Sequence, residues 1–311
     1  MKSERDYRGH LALLLANIIW GVNNPLSKTL MPAWVDSYAL TFFRMAGAAL
    51  VFWITSFFLK KEKVPVKDIF LLFFASLFGV VLNQGLFLFG LSRTSSIDAA
   101  IVATTVPIIT MIASAIYLKE PITGKKAIGV LIGAAGAILL IVTSSAARNG
   151  GSGNTLGNLL CLLASISFSL YLTLFKRVIT SYAPVTVMKW LFLFAAVISA
   201  PVCFPAVTQP DYSRFPVSVF LRIGFVVLAA TYLAYLLMPV GQKLLRPTTV
   251  SMYNYVQPLV ASTVAVFIGL DTFGVYKVVA GVLVFLGVYI VTRSKSREQV
   301  LEEQKMREAK G

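Results

Sequence analysis

The chain has 311 residues, of which 57% are hydrophobic and 13% are charged, and its mean hydropathy is +0.79. Soluble domains are about 45–50% apolar and about 25% charged, so this composition excludes an ordinary soluble protein. The net charge of +15 would suit a nucleic-acid partner, but the basic residues lie between apolar runs rather than clustered with aromatic residues on a soluble face. We therefore predict an integral membrane protein and no nucleic-acid partner.

Ten apolar runs, each separated from the next by a few polar residues, follow one another along the chain. A helix of roughly 20 apolar residues crosses the hydrocarbon core of a bilayer, and these runs have about that length. The core holds no water to pair with open backbone groups, so we predict that every run is helical. The predicted spans are about 10–30, 37–59, 67–91, 96–118, 124–144, 155–178, 184–206, 215–241, 248–270 and 274–292.

The basic residues predict how the spans are oriented. Most of the 28 Lys and Arg residues fall in segments that share a side with the N-terminus, such as Lys61 and Lys125. Few fall on the other side, where Arg148 and Arg214 lie. Positive residues concentrate in the cytoplasmic segments of membrane proteins. We therefore predict a multi-pass protein of the cell membrane with both termini in the cytoplasm.

The second half of the sequence repeats the first. At an offset of 151 residues, helix-breaking, small and acidic residues coincide: Pro107 with Pro258, Gly136 with Gly287, and Glu120 with Asp271. At offsets of 148 and 145, two pairs of basic residues coincide: Lys28 with Lys176, and Arg44 with Lys189. Each half holds five spans, and two copies of an odd-numbered unit in one chain must have opposite orientations in the membrane.

The predicted domains follow from this repeat. They are a cytoplasmic N-terminal segment (1–9), a first five-helix repeat (10–144), a Gly- and Ser-rich linker (145–154), a second five-helix repeat (155–292) and a charged cytoplasmic tail (293–311). The predicted fold class is an all-α integral membrane protein with ten transmembrane helices in two inverted repeats. Inverted repeats are typical of secondary transporters, whose substrate site lies near the midplane between the halves.

Four motifs, in their order and spacing, are similar to those of a known family. They are "WGVNNPLSK", "FFR", "TVPIITMIASAIYLKEPIT" and "YVQPLVASTVAVFIGLDTFG". Together they resemble the drug/metabolite transporter superfamily, and in particular its EamA-type branch, over about residues 8–293. The resemblance implies two EamA-like repeats and a ten-helix carrier of small metabolites, often amino acids and often moved outward. It does not indicate which substrate is carried.

One face of the first span is polar. At helical spacing this face carries Asn17, Gly21, Asn24 and Lys28, with Trp20 beside it. Polar groups within a membrane usually face the bundle interior or a wet cavity. Pro25 also leaves the carbonyl of Gly21 without its helical partner. We expect Trp20 and Asn24 to line a substrate cavity; the alternative is that the asparagines only join neighbouring helices by hydrogen bonds.

Other spans contain three more prolines and a dense group of amides and tyrosines. Pro107, Pro239 and Pro258 free the carbonyls of Ala103, Tyr235 and Asn254. A belt of interfacial tyrosines would explain those near span ends, but not those well inside a span. The candidate substrate-binding residues are Trp20, Asn24, Asn83, Gln84, Tyr171, Tyr232, Tyr235, Tyr253, Asn254, Tyr255 and Gln257, and the candidate helix-break residues are Pro25, Pro107, Pro239 and Pro258.

Four basic residues are candidates for a gating role at the mouths of a cavity: Lys28, Arg44, Lys176 and Lys189. Arg44 and Lys189 lie about one and a half turns, roughly 8–10 Å, inside their spans. Each could extend its charged end to the nearest membrane interface. Alternatively, they hold the mouths closed or meet an anionic group of the substrate.

The sequence contains no recognisable catalytic, metal or cofactor site. His10 is the single histidine, Cys161 and Cys203 lie within apolar runs, and no ATP-binding or metalloprotease motif is present. None of the 13 Asp and Glu residues lies in the middle of a span, where a proton relay or cation site is usually built. We predict no enzyme activity, no cofactor and no metal, and transport without obligatory proton movement.

The leading hypothesis is a secondary transporter, either an exporter or an exchanger, that moves small polar metabolites such as amino acids by alternating access. Its expected partners are a small-molecule substrate and the lipid bilayer. The alternatives are a membrane-embedded enzyme, which would need a nucleophile, a metal cluster or paired acids, and a non-transporting scaffold, which would not explain the polar face. The small residues at Gly129, Gly133 and Gly136 predict close helix packing, either within a monomer or in a homodimer.

Overall fold

The computed structural model describes residues 2–31, 33–94, 96–142, 155–267 and 274–295, with short pieces at 299–300, 302 and 306. The predicted linker at 145–154 lies outside the described residues, as does most of the predicted tail at 293–311. The described part of the chain is helical and contains no β-strand.

Ten long helices follow the ten predicted spans. They are α1 (Lys2–Leu30), α2 (Ser37–Phe57), α3 (Val66–Arg93), α4 (Ser96–Ala103, continued by Val106–Tyr117), α5 (Gly124–Val142), α6 (Thr155–Leu174), α7 (Pro184–Val207), α8 (Val217–Leu244), α9 (Pro247–Met252, continued by Val256–Phe267) and α10 (Val275–Thr292). Seven of them, all but α1, α5 and α9, are long and apolar enough on their own to cross a membrane within the described residues. The predicted all-α membrane fold is confirmed.

Two helix boundaries differ from the prediction. α1 begins at Lys2 rather than near residue 10, because charged residues such as Lys and Glu form helices well without being apolar. The sixth span ends at Leu174, and a separate short helix at Lys176–Ser181 replaces the predicted continuation to 178.

Side chains hold several helix ends. The carboxylate of Asp36 accepts a 2.7 Å hydrogen bond from the amide of Ala39 at the start of α2, which pairs one of the open N–H groups there. The guanidinium of Arg246 donates to the carbonyls of Val291 and Thr292 at 3.2 and 3.3 Å. These carbonyls are at the negative end of α10, where a positive charge is favourable. The hydrogen bonds of Arg246 therefore tie the start of α9 to the end of α10.

The repeat mates α5 and α10 pack against each other along their length. A Cβ added at Gly129 would lie 3.0 Å from the carbonyl oxygen of Gly287, and one added at Gly136 would lie 2.8 Å from that of Ala280. Residue numbers therefore rise along α5 as they fall along α10, so the two helices are antiparallel. Because they are repeat mates, the two halves of the chain are inverted, as the odd number of spans predicts.

The same glycines show where the small-residue face of α5 packs. Gly129 and Gly136 face α10, and a Cβ added at Gly133 would lie 2.7 Å from the ring of Tyr255 on α9. The face is thus filled by helices of the same chain. Close packing inside the bundle accounts for these small residues.

Both halves interrupt their helices at matching positions. A π-helical segment occurs in α3 at Leu77–Leu82 and in α8 at Phe225–Leu233. α4 breaks just before Pro107, and α9 contains a 3₁₀ turn, Tyr253–Tyr255, just before Pro258. The packing is repeated as well, because α1 lies against α8 and α9 as α6 lies against α3 and α4. Each half therefore places its first helix against the other half.

The π-helical segments are tied across the two halves by hydrogen bonds. The indole N–H of Trp20 on α1 donates to the carbonyl of Ala230 on α8 at 2.8 Å. In the other half, one residue away from the matching positions, the hydroxyl of Ser167 on α6 donates to the carbonyl of Phe78 on α3 at 2.7 Å. Buried carbonyls need a partner, and here the partner is a side chain of the opposite half.

We expect Gly287→Ala to destabilise the protein by about 1–3 kcal/mol. The new methyl group would meet the carbonyl oxygen of Gly129 at 2.6 Å and the amide nitrogen of Gly133 at 2.7 Å. These are backbone atoms that cannot rotate away, so α5 and α10 would have to separate. Thermal unfolding in detergent, read by a thiol-reactive dye, measures the change, because Cys161 and Cys203 are only 1% and 3% exposed in the folded chain.

Gly224→Ala is the matched control, because a Cβ at Gly224 in α8 meets nothing within 4 Å. It should leave the unfolding temperature unchanged or raise it. A rise would reflect the roughly 0.5–1 kcal/mol of stability that alanine gains over glycine in a helix. Equal stability of the two variants would contradict the proposed role of the α5–α10 contact.

Candidate functional site

A cavity of about 110 Å³ lies between the two halves, near the middle of the helices. One water molecule needs only about 10–15 Å³ measured in this way, so the space is sufficient for a small ligand. Seven helices contribute side chains to it. The lining residues are Trp20, Asn23, Asn24, Arg44, Asn83, Gln84, Phe87, Ala103, Val106, Ala164, Ser165, Phe168, Tyr235, Asn254 and Gln257.

The fold brings most of the predicted substrate-binding residues to this cavity. The seven that line it are Trp20, Asn24, Asn83, Gln84, Tyr235, Asn254 and Gln257. They come from α1, α3, α8 and α9, which lie far apart in the sequence and are brought together by the contact between the halves. Their role in binding a substrate stays a prediction.

Aromatic rings form one wall of the cavity. The ring of Trp20 meets the ring of Tyr235 edge to face, with centroids 5.3 Å apart and planes at 68°. Tyr235 in turn meets Phe192 on α7 at 5.1 Å and 89°. Such edge-to-face pairs are favourable, and the hydrogen bond from Trp20 to α8 holds the first ring in position. The two cavity rings are therefore held by contacts with α7 and α8.

Side-chain amides form another part of the lining. The amide of Gln257 on α9 donates to the side-chain oxygens of Asn17 at 2.9 Å and Asn254 at 3.4 Å. Asn83 on α3 donates to the carbonyl of Ala164 on α6 at 3.2 Å. Gln257 and Asn83 therefore do join neighbouring helices by hydrogen bonds, as the alternative interpretation holds. Both also line the cavity.

Arg44 lies in the cavity lining, so of the two expectations its charged end does not extend to the membrane interface. A role at a mouth or toward an anionic group of the substrate stays a prediction. Arg44 is 6% exposed, and its Nε donates to the hydroxyl of Thr231 on α8 at 3.1 Å. The physical reason is that its long side chain turns inward, where a hydroxyl accepts from it. Among the described side chains no carboxylate pairs with Arg44, and the cavity lining contains no Asp or Glu.

Gln84 is buried in the lining with unused hydrogen-bonding capacity. Its amide lies near the hydroxyl of Tyr235. However, neither of its polar atoms makes a hydrogen bond of normal geometry to any residue that the structure describes. Buried polar atoms without a partner are unfavourable, so the Gln84 amide is available to a ligand or to water.

The four candidate helix-break prolines act in two different ways. Pro107 and Pro258 follow interruptions of α4 and α9, but α1 and α8 continue through Pro25 and Pro239. Neighbouring helices and small backbone adjustments let membrane helices continue through proline. Each proline removes the helical partner of the carbonyl four residues before it. Three of these four earlier residues, Ala103, Tyr235 and Asn254, line the cavity. The fourth, Gly21, packs against α9.

Two predicted tyrosines, Tyr171 and Tyr232, lie outside the cavity. Tyr171 on α6 is 1% exposed, and its ring packs over Gly79 in the π-helical segment of α3. Tyr232 on α8 has its hydroxyl 2.9 Å from that of Thr55 on α2. Tyr232 lies in the π-helical segment of α8, whose spacing differs from that of the regular helix that holds Tyr235. Tyr171 is turned toward α3 instead of the cavity.

Two further tyrosines, Tyr253 and Tyr255, also lie outside the cavity although they flank Asn254. The hydroxyl of Tyr253 is 2.6 Å from Nδ1 of His10 at the start of α1. That of Tyr255 donates to the carbonyl of Thr104 at 3.2 Å, next to the break in α4. The 3₁₀ turn directs these three consecutive residues to different neighbours, so only Asn254 of the three lines the cavity.

The predicted mouth lysines make related contacts in the two halves. Lys28 donates to the carbonyl of Leu91 near the end of α3 at 2.8 Å, and Lys176 donates to that of Leu245 just after α8 at 3.3 Å. Burial lowers the pKa of the Lys176 ammonium; Glu120 opposes this shift and Arg246 adds to it. Both lysines lie at helix ends outside the cavity lining.

Lys189, the repeat mate of Arg44, is not part of the cavity lining. Its ammonium lies 5.0 Å from the centre of the Trp53 ring on α2, which is a favourable distance for a cation–π contact. The two mates therefore differ in environment: Arg44 faces the cavity and Lys189 an aromatic ring.

Several lining residues are not among the candidate substrate-binding residues predicted from the sequence. Phe168 and Ser165 on α6 lie in the lining together with smaller residues of α4. The repeat carried a signal for both, because an offset of 148 aligns Phe168 with Trp20 and Ser165 with Asn17. Phe87 and Asn23 have no comparable signal.

Comparison with known proteins agrees with this architecture. The chain matches the EamA-like transporter family over residues 7–142 and 155–293, which is once for each half. It is 24% identical over 96% of its length to the WAT1-related protein At1g43650 of Arabidopsis thaliana, of which 94% is covered. It is 22% identical over 94% of its length to the uncharacterized transporter YetK of Bacillus subtilis, of which 89% is covered.

The fold also occurs among solved structures. One of them, described only as the crystal structure of a protein, superposes with a TM-score of 0.74 over 94% of this chain and 97% of its own, at 17% identity. At that identity the likeness concerns the fold alone. The family match, however, covers both halves and most of the chain, and relatives along its length are named transporters. The protein is thus a multi-pass membrane protein that belongs to the EamA-like transporter family.

Proposed function

We propose that the protein is a secondary transporter that carries small polar metabolites, such as amino acids, by alternating access. The observation that carries this proposal is the cavity between two inverted halves, lined by amides, aromatic rings and one guanidinium. Sites for small polar molecules combine a few such polar groups with apolar and aromatic walls. Membership in a transporter family supports the same activity.

The inverted halves support alternating access as the mechanism. In a carrier of this kind the halves rock about a fixed midplane site, and each contact that closes one side has a mate that closes the other. Lys28 and Lys176 form such a pair. Lys28 ties the end of α1 to the end of α3, and Lys176, just after α6, contacts the residue just after α8. We propose that transport loosens one of these contacts at a time.

The orientation that we propose has both termini in the cytoplasm. Single cysteines at positions 61 and 125 should then be protected from an impermeant thiol reagent on intact cells, whereas a cysteine at position 214 should react. Lys61, Lys125 and Arg214 are exposed, and the native Cys161 and Cys203 are buried, so the parent chain should give little background. Labelling at 61 or 125 with protection at 214 would reverse the orientation.

Tyr235→Phe and Tyr232→Phe are a matched pair that tests the site. Both remove one phenol hydroxyl from α8, but only Tyr235 lines the cavity. Loss of one uncharged hydrogen bond, about 0.5–1.5 kcal/mol, should weaken substrate binding roughly two- to tenfold in Tyr235→Phe. Binding by Tyr232→Phe should match the wild type. The measurement is substrate-dependent thermal stabilisation, and equal effects of the two changes would argue against this cavity as the site.

Reconstituted liposomes test both transport and its energy source. We expect counterflow of a small polar metabolite without any pH gradient, because no acidic side chain lines the cavity in the described part of the chain. Carboxylates buried in a membrane are the usual carriers of coupled protons. Failure of counterflow across a broad metabolite panel would count against transport. Uphill accumulation driven by a pH gradient alone would show that protons are coupled.

A further inference from the structure

We propose that the substrate carries a single carboxylate group, that the Arg44 guanidinium binds it, and that Thr231 positions Arg44 for this contact. The inference rests on the proposed function, in which the cavity is the substrate site. It adds the chemical class of the substrate and the residue that recognises it.

The first argument is the charge of the cavity. Arg44 is the one ionised side chain in the described lining, and it is 6% exposed. An arginine does not lose its proton in proteins, so its positive charge persists within the membrane. A buried charge is unfavourable unless it is paired, and no carboxylate of the described residues pairs with Arg44. An anion in the cavity would provide the missing partner.

The second argument is how Arg44 is held. Its Nε donates to the hydroxyl oxygen of Thr231 at 3.1 Å, and that hydroxyl donates to the carbonyl of Val226 at 2.7 Å. The hydroxyl proton is thereby committed to Val226, so the oxygen presents a lone pair to Arg44. Val226 lies five residues before Thr231, within the π-helical segment of α8. The irregular segment therefore orients the guanidinium.

This arrangement leaves the two terminal amino groups of Arg44 for a ligand. Both oxygens of a carboxylate can accept from a guanidinium in parallel hydrogen bonds. One positive charge matches one carboxylate, whereas the second charge of a phosphate would have no partner in the cavity. If the substrate also carries an ammonium group, the side-chain amide oxygen of Gln84, which has no partner of normal geometry among the described residues, is an acceptor in the same lining.

The repeat mate of Arg44 supports a single anion site. Lys189 lies against the ring of Trp53 and does not reach the cavity lining. Duplication of the half therefore gave two basic residues, of which one faces the cavity. A substrate with two carboxylates would find a partner for only one of them.

The test compares small probes that differ by one charge. Sodium propionate and L-alanine should raise the unfolding temperature of the purified full-length protein. Propionamide, which has nearly the shape of propionate but no charge, should have no effect. Inorganic phosphate, compared at equal ionic strength and at an alkaline pH where it is a dianion, should have none either. Arg44→Gln should weaken the effect of propionate at least about tenfold, because a charge-assisted pair of hydrogen bonds is lost.

Four further variants keep the test decisive. Arg44→Lys should retain part of the propionate effect, since it keeps the charge but not the paired donors. Thr231→Val should reduce it severalfold, and Thr231→Ser, which keeps the hydroxyl, should restore it. Arg222→Gln, a change of the same kind on the exposed side of α8, should bind propionate as the wild type does.

Stabilisation by propionamide equal to that by propionate, or an undiminished propionate effect in both Arg44 variants, would overturn the inference. So would stabilisation by phosphate in place of the carboxylates. A wild-type protein that performs counterflow of a neutral metabolite but gains no stability from either carboxylate would also refute it and leave the proposed transport intact. Absence of any counterflow would instead count against the proposed function.

Discussion

Within a bilayer every backbone carbonyl and amide must find its hydrogen-bond partner inside the protein. The π-helical segments of α3 and α8 depart from regular helix pairing, and in both a side chain of the opposite half supplies a partner. Ser167 bonds to Phe78, and Trp20 bonds to Ala230. Hydrogen bonds that join the backbone to side chains thus also join the first half to the second. The same helices, α1 and α6, line the cavity, so the backbone requirement and the architecture of the site are linked.

The helices divide into those that surround the cavity and those that support them. The described lining draws on α1, α2, α3, α4, α6, α8 and α9, but not on α5, α7 or α10. α5 and α10 meet backbone to backbone through Gly129 and Gly287, which leaves little freedom between them. Around the cavity the contacts are mainly rings, amides and single hydrogen bonds, which can exchange partners more readily. The rigid pair lies outside the site, and the polar contacts lie within it.

Hydropathy, prolines and the repeat predicted more of the fold than of the site. Span positions follow from apolar length, and Pro107 and Pro258 mark real interruptions. The π-helical segments contain no proline, so nothing in their residue types indicated them. They rotate the rest of each helix, which helical spacing alone does not reveal. The depth of Arg44 in its span likewise does not show whether its side chain extends to the interface or inward. In the structure it turns inward to Thr231. Tyr255 shows the same limit, because the 3₁₀ turn directs it away from its neighbour Asn254.

The different environments of Arg44 and Lys189 have a kinetic consequence for a carrier built from inverted halves. With identical halves, the inward-facing and outward-facing states would be related by a twofold rotation about an axis in the membrane plane and would have equal energy. Here one mate faces the cavity and the other contacts Trp53. In the alternating-access carrier that we propose, the two states would therefore differ in energy and in affinity. An uncoupled carrier still cannot move its substrate uphill, because the free-energy changes around its closed cycle sum to zero without a coupled ion or ATP. In such a carrier the asymmetry would appear as unequal half-saturation concentrations on the two faces, balanced by unequal maximal rates.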